Sequence, residues 1–241
     1  MAELRAVLFD VAGTVVSFSG ADRATAVVRA EFVGFLGADA PPADVVAEAS
    51  RQGIARAFAE FFALPFYMHR EMTAATYFYA AEALGRPISD AVADRLAARW
   101  WDELLRNGAW REGAVETLTD LRRRGLHLGA VTNADEEHLK VFLDVLGLDR
   151  YFDAWLSSEG ARSCKPDAAI FHQALRQAGC SPEEAIFVGD TPAHDIDGAA
   201  GVGMRTVLIT DSHAGLGRDL AATHQPDYII RGLPELLGIL A

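Results

Sequence analysis

Residues 5–14 read RAVLFDVAGT, an apolar run that ends in a carboxylate and a Gly-Thr turn. The run is too short for a helix and is rich in Val, Leu and Phe, so it predicts a strand buried on both faces. Ligands of open α/β sheets bind at the carboxyl ends of such strands, which is where Asp10 lies. For this segment alone, an Asp that merely caps the next element is an equally good interpretation. The rest of the chain has to decide between the two.

The composition bounds the class of protein. With 51% hydrophobic and 23% charged residues among 241, we expect a globular protein with a large core and one or two domains. The net charge of −12 argues against nucleic acid and anionic membranes as partners, because both carry negative charge. No apolar run approaches membrane-spanning length, and no charged-then-apolar signal segment opens the sequence. Cys164 and Cys180 fit a reducing compartment, so we expect a cytoplasmic location.

The first hundred residues after the opening strand differ in pattern from the rest. Residues 21–106 show no strand-like alternation and predict four amphipathic helices. These predicted helices end near Gly37, Phe62, Leu84 and Asn107. From Trp110 onward strands and helices alternate, which is typical of a parallel, doubly wound sheet. The later predicted strands are 126–131, 154–157, 185–188, 206–209 and 229–230.

The sequence therefore predicts an α/β fold, a Rossmann-like doubly wound sheet, with an inserted all-helical domain. The predicted core consists of residues 1–16 and 108–241, and the predicted helical domain of residues 17–107. The chain crosses between the two near residues 16–20 and 107–110. We expect these crossings to act as hinges.

Polar side chains follow three of the predicted strands. Asp10 follows the opening strand, Thr132 and Asn133 follow strand 126–131, and Asp190 and Asp195 follow strand 185–188. Lys165 lies at the start of a helix between the last two of these strands. This set fits phosphoryl transfer, because Asp10 can attack phosphorus and form an aspartyl-phosphate. Asp190 and Asp195, together with Asp10, can hold Mg²⁺, which prefers oxygen ligands. Thr132 and Lys165 can bind the phosphate oxygens on which transition-state charge spreads.

The order of these residues, with a helical insertion after the first, resembles the four motifs of the haloacid dehalogenase superfamily and its cap domain. The resemblance implies a Rossmann-like core and Mg²⁺-dependent hydrolysis of a small phosphorylated substrate. It makes Asp10 the nucleophile and the backbone carbonyl of Ala12 a metal ligand beside Asp190 and Asp195.

The same resemblance implies how the substrate is held. Thr132, Asn133 and Lys165 become phosphate ligands, of which Thr132 and Lys165 also take part in catalysis. Thr14, in the turn after the nucleophile, joins the residues expected to bind substrate.

One departure from the family pattern is central. Phosphatases of this family carry a second Asp two residues after the nucleophile, where this chain has Ala12. That Asp protonates the leaving group and then activates water, and general acid–base catalysis is worth roughly 10²–10⁴-fold. Asp22, His69, Glu71 and His194 are candidates to replace it, although each has a simpler interpretation as a surface or loop residue.

Two subfamilies also lack the second Asp. The Asp-x-Ala-Gly-Thr pattern resembles phosphonoacetaldehyde hydrolase, which forms a Schiff base on a cap lysine, but the chain's two lysines, Lys140 and Lys165, both lie outside the predicted helical domain. The 2-haloacid dehalogenases have lost the metal site, whereas Asp190 and Asp195 remain here. Three hypotheses follow: a Mg²⁺-dependent phosphatase, which we favour, a hydrolase acting at carbon, and a weakly catalytic protein that binds a phosphorylated ligand. The sequence specifies neither the substrate nor the oligomeric state.

Overall fold

The chain of the computed structural model divides into two units. The α/β unit is formed by Met1–Ser19 with Gly108–Ala241, and the helical unit by Gly20–Asn107. The first predicted boundary, between residues 16 and 17, thus lies slightly earlier than the division after Ser19. The structure describes residues 2–18, 20–210 and 222–240. Within these ranges, none of the helices is both long enough and apolar enough to span a membrane.

The order of elements follows the predicted alternation. The strands are β1 (Ala6–Phe9), β2 (Val16–Phe18), β3 (Gly108–Trp110), β4 (His127–Thr132), β5 (Ala154–Ser157), β6 (Ala185–Gly189), β7 (Arg205–Ile209) and β8 (Tyr228–Ile230). The helices are α1 (Ala21–Leu36), α2 (Ala43–Phe61), α3 (His69–Ala83), α4 (Asp90–Arg106), α5 (Ala114–Arg123), α6 (Glu136–Leu146), α7 (Ser158–Ala161), α8 (Ala168–Ala178), α9 (Asp197–Gly201) and α10 (Leu236–Ile239).

The α/β unit is built on a parallel sheet of six strands in the order β5-β4-β1-β6-β7-β8. The predicted fold class is therefore confirmed. All four residues of β1 are buried, because β1 lies between β4 and β6 and helices flank the sheet. On the α8 side, the rings of Phe171 and Phe187 meet edge to face at 5.2 Å within one apolar cluster. A strand enclosed in this way is apolar at every position, as the sequence AVLF of β1 is.

A second, two-stranded sheet pairs β2 with β3 antiparallel. The sequence interpretation of residues 16–20 and 107–110 as plain crossings missed this ribbon, because three-residue strands carry too little periodicity to be recognised. The ribbon is attached to α6, since Phe18 packs on Phe142 at 5.7 Å and the Trp110 indole donates to the Leu146 carbonyl at 3.1 Å. Ser19, which falls in the first predicted crossing, lies outside the described residues.

The helical unit contains the four predicted helices, α1 to α4. Their apolar faces meet in one cluster that includes Val28, Phe32, Val46 and Leu96. The predicted helix ends agree with the structure to within a residue or two, because three of the four helices end close to Gly37, Gly85 or Asn107, which favour termination.

The contact between α2 and α3 depends on Gly53. A methyl group added at this position would overlap the Thr76 carbonyl oxygen and would lie 2.8 Å from the Ala80 backbone nitrogen. Both neighbours are backbone atoms of α3, so they cannot move aside as a flexible side chain could. Gly34, in the exposed last turn of α1, has open space at the same point.

We predict opposite effects of alanine at these two glycines. Gly53→Ala should lower the free energy of unfolding by about 1–3 kcal/mol through overpacking. Gly34→Ala should raise it by about 0.5–1 kcal/mol, because alanine restricts the unfolded chain and nothing obstructs its methyl group. Urea unfolding of the full chain, followed by far-UV circular dichroism, measures both. Equal shifts in the two variants would contradict the close α2–α3 approach.

Candidate active site

The carboxyl ends of three adjacent strands bring the predicted polar residues together. β4, β1 and β6 are neighbours in the sheet, with Phe9 of β1 in register with Ala130 on one side and Val188 on the other. Asp10 follows β1 directly, and its backbone N–H donates to the Val188 carbonyl at 2.9 Å. Because all three strands are parallel, Thr132 at the end of β4 belongs to the same sheet edge.

Lys165 lies at the centre of this edge. Its ammonium group donates to Asp10 Oδ1 at 2.7 Å, to Asp195 Oδ1 at 2.7 Å and to the Val131 carbonyl at 3.1 Å. Its side chain is only 2% exposed. An ammonium has three protons to donate, so each of them has a partner in the protein.

These contacts shift the pKa values of both partners. Burial, with a smaller contribution from the nearby Asp195, raises the pKa of Asp10 to about 6, although Lys165 pulls it downward. Burial alone would lower the pKa of Lys165, but the carboxylates of Asp10 and Asp195 outweigh it and raise that pKa above its usual value. Lys165 is therefore a fixed cation at neutral pH.

Three buried carboxyl groups lie close together at this edge of the sheet. Asp10, Asp190 and Asp195 each present an oxygen, and these oxygens all lie within 4.8 Å of one another. When ionised they carry three negative charges, and the Lys165 ammonium places one positive charge beside them. Such an all-oxygen, net acidic donor set fits a hard divalent cation such as Mg²⁺. A bound cation would also lower the pKa of Asp10, since it favours the charged carboxylate.

The approach of Asp195 to the end of β6 requires a glycine. A methyl group added at Gly189 would overlap the Asp195 side chain at its Cβ and Cγ atoms. The backbone N–H of Thr191 donates to Asp195 Oδ2 at 2.9 Å, which fixes the second oxygen. Asp195 itself stands on a single π-helical turn, Pro192–Ile196, a geometry that recurs at functional sites.

Two predicted substrate ligands also hold the site's own residues in place. The hydroxyl of Thr14, which is fully buried, donates to Asp10 Oδ2 at 3.2 Å. The side-chain amide of Asn133 donates to the Lys165 carbonyl at 3.0 Å and accepts from the Lys165 N–H at 2.8 Å. Thr14 therefore orients the Asp10 carboxylate, and Asn133 fixes the backbone of Lys165. Their direct contact with substrate stays a prediction.

The turn that carries Ala12 is held by Arg111, which no sequence pattern singles out. Gly13 has a φ of +91°, which favours glycine, and its N–H donates to the Val16 carbonyl at 2.7 Å. The guanidinium of Arg111 donates to the Gly13 carbonyl at 2.7 Å, and the Arg111 N–H donates to the Val15 carbonyl at 2.9 Å. Arg111, the residue after β3, thus ties the end of that strand to the turn after Asp10.

The four candidate replacements for the missing acid fall in both units. His194 belongs to the α/β unit and is buried in the π-helical turn next to Asp195. Asp22 lies in the exposed first turn of α1, whereas buried His69 and exposed Glu71 open α3 in the helical unit.

The sequence places Gly198, Gly201 and Gly203 close together, which suggests that all three belong to a helix C-terminus, but for Gly198 this interpretation is wrong. Gly198 is the second residue of α9, and only Gly201 and Gly203 lie at that helix's end. A methyl group added at Gly198 would overlap the Phe171 ring and would lie 3.0 Å from Pro166 Cα. The glycine is therefore explained by the packing of α9 on α8 and on the segment that follows Lys165.

Fold and site together define a hydrolase of one known family. The model of the haloacid dehalogenase-like hydrolases matches residues 4–203. The chain belongs to this family, as the resemblance of its motifs implies.

Relatives with curated names are similar over part of their length. The chain is 33% identical over 129 residues to pyrophosphatase PpaX of Halalkalibacterium halodurans, which covers 54% of this chain and 59% of that protein. It is 38% identical over 129 residues to human haloacid dehalogenase-like hydrolase domain-containing protein 3, covering 54% of this chain and 51% of that one. The chain thus spans about half the length of the curated relatives it matches.

Solved structures match the whole chain. The magnesium-bound HAD-hydrolase YfnB of Bacillus subtilis has a TM-score of 0.74 at 23% identity, with 99% of each chain covered. A 2-haloacid dehalogenase from Pseudomonas syringae pv. Tomato DC3000 has a TM-score of 0.63 at 27% identity, covering 99% of this chain and 100% of that one. The likeness to YfnB shows the fold.

We predict that Lys165→Met destabilises the metal-free protein strongly. Removing the ammonium leaves Asp10 and Asp195 buried without a counter-charge, which should cost about 3–5 kcal/mol of unfolding free energy. Lys140 is the matched control, because its pair with Asp144 is largely exposed, and Lys140→Met should change stability by less than about 1 kcal/mol. Urea unfolding in the presence of a chelator measures both variants.

We also predict that the unfolding free energy of the metal-free protein, measured in the same way, decreases as the pH rises. The folded pKa of Asp10 is about 6 against an ordinary value of 3.8, so the fold prefers the neutral carboxyl. Metal-free stability should therefore fall as pH rises through this window, and Lys165→Met should extend the fall to higher pH. Millimolar Mg²⁺ should restore part of the loss. Equal, small losses in the two lysine variants at every pH would contradict the buried charge cluster.

Proposed function

We propose that the α/β unit is a Mg²⁺-dependent phosphatase that hydrolyses a small phosphorylated compound through an aspartyl-phosphate on Asp10. The observation that carries this proposal is the buried cluster in which Lys165 bridges Asp10 and Asp195 while Asp190 approaches from the next strand. An attack on an anionic phosphate requires a carboxylate nucleophile, a fixed cation and acidic oxygens that can hold a divalent cation.

The first half-reaction uses Asp10 as nucleophile. A carboxylate oxygen of Asp10 forms a bond to phosphorus as the bond from phosphorus to the leaving oxygen breaks. Thr14 and Lys165 hold the attacking carboxylate in position through their hydrogen bonds. Thr132 binds one non-transferring phosphate oxygen, and Lys165 exchanges one of its three contacts in the protein for another, where charge spreads in the transition state.

The metal would be held by Asp10, Asp190, Asp195 and the backbone carbonyl of Ala12. When bound, Mg²⁺ supplies positive charge that reduces the repulsion between the carboxylate and the phosphate. In the second half-reaction, water attacks the phosphorus of the aspartyl-phosphate, releases inorganic phosphate and restores the Asp10 carboxylate.

A hydrolase acting at carbon is the second candidate. Ala12 favours it, because a halide or a suitably activated carbon leaves without needing an acid at this position. The similarity to a 2-haloacid dehalogenase at 27% identity also supports it. Against it stand the acidic residues Asp190 and Asp195, which a metal-free reaction does not need. The similarity to a protein named pyrophosphatase favours phosphoryl chemistry.

The direct test is the release of phosphate and halide by the native protein. We expect phosphate from p-nitrophenyl phosphate with Mg²⁺, none after chelation, and no halide from a panel of 2-haloacids. Asp10→Asn should abolish turnover, whereas Asp144→Asn, at an exposed position on α6, should leave it unchanged. Turnover that survives chelation, or halide release without metal, would favour the second candidate. Binding of a phosphorylated compound without turnover would favour a weakly catalytic binder.

We also predict that Arg111→Met weakens metal binding. Loss of its bond to the Gly13 carbonyl loosens the turn that presents the Ala12 carbonyl, and outer-shell losses of this kind cost about 10–100-fold in metal affinity. Arg106→Met is the control, because Arg106 pairs with Asp102 on the exposed face of α4. Isothermal titration with Mg²⁺ measures the affinities. An Arg111 variant with native affinity would remove this role.

A further inference from the structure

Lys165, Thr14 and Thr191 use their side-chain protons in hydrogen bonds within the protein. Lys165 donates its three ammonium protons to two carboxylates and a carbonyl, and Thr14 donates its hydroxyl to Asp10. The Thr191 hydroxyl donates to Asp190 Oδ1 at 3.3 Å. At the position two residues beyond the nucleophile, Ala12 offers a methyl group. This part of the described site therefore holds a nucleophile and a cation but presents no free acidic proton.

We propose that this site takes phosphoryl donors whose leaving group departs as a stable anion, namely acyl phosphates, phosphoanhydrides and aryl phosphates, rather than alkyl phosphate monoesters. The inference rests on the proposed phosphatase function and narrows its substrate class.

The chemical reason lies in the first half-reaction. As Asp10 bonds to phosphorus, the electron pair of the breaking P–O bond stays on the leaving oxygen. A carboxylate, a phosphate or an activated phenolate accommodates that charge without a proton. An alkoxide does not, and a general acid that supplies its proton is worth roughly 10²–10⁴-fold in rate. The absence of an acid at Ala12 therefore slows the first half-reaction of alkyl esters strongly and that of activated donors little.

The second half-reaction gives an independent signature. The aspartyl-phosphate is itself an acyl phosphate, so the Asp10 carboxylate leaves without an acid. The attacking water, however, has no base at position 12 to take its proton, which passes to the solvent or to the phosphate product. Breakdown of the intermediate should therefore be slow and common to all good substrates. The expected result is a burst of leaving group equal to the enzyme concentration, with a kcat that does not depend on the leaving group.

The experiment compares substrates of graded leaving-group basicity on the native full-length chain. The series consists of acetyl phosphate, inorganic pyrophosphate, aryl phosphates of increasing phenol pKa, and glycerol phosphate. We expect kcat/KM to fall by about 10²–10⁴-fold or more from the activated donors to the alkyl ester. A flat series would overturn the inference, because it would mean that another residue supplies the proton.

Two variants at the same position isolate the cause. Ala12→Asp should raise the ratio of kcat/KM for glycerol phosphate to kcat/KM for acetyl phosphate by about 10²–10⁴-fold. Ala12→Asn, which matches the size and polarity of Asp but has no acidic proton, should give no gain. Equal effects of the two variants on the alkyl ester would overturn the assignment to the missing acid. If Ala12→Asp does not fold, the substrate series and the burst of leaving group, both measured on the native protein, still test the inference.

The outcomes separate this inference from the proposed function. Phosphate release with a flat leaving-group dependence overturns the substrate class and leaves the phosphatase function intact. No phosphate release from any member of the series overturns the phosphatase function, and the substrate class with it.

Discussion

The ammonium of Lys165 is the constraint on which the site depends. Asp10 and Asp195 are brought within hydrogen-bond distance of it, and Asp190 lies close to both. Without a cation at this point, ionised carboxylates buried so close together would repel one another strongly. The protein holds Lys165 from both ends, since Asn133 binds its backbone and the Val131 carbonyl accepts from its ammonium. Residues distant in sequence therefore meet around one charge.

The sheet topology makes this meeting possible. Asp10 follows the strand between β4 and β6, so the ends of its two neighbours supply groups on either side. Gly189 completes the arrangement, because a larger residue would exclude Asp195 from the end of β6. The strand order and this glycine together allow the charge cluster to form. The absence of an acid at Ala12 leaves that geometry intact and changes the chemistry that it supports.

Much of this organisation was predictable from the sequence, for physical reasons. Buried parallel strands are apolar at every position, so an Asp that follows one is conspicuous, and Asp10 and Asp190 were both identified in this way. The helices were predictable because their apolar faces repeat and their ends carry terminating residues. The ribbon of β2 and β3 was not, because its strands are three residues long. Arg111 was missed because its role is a contact with a distant backbone carbonyl, which leaves no local pattern.

The proposed mechanism requires Asp10 to form a bond to phosphorus. Mass spectrometry of the protein, quenched with acid during turnover of acetyl phosphate with Mg²⁺, detects that bond. We expect one phosphoryl group on the peptide that contains Asp10, and its loss in Asp10→Asn. A phosphoryl group on a different residue, or turnover in which no phosphorylated peptide forms, would contradict it.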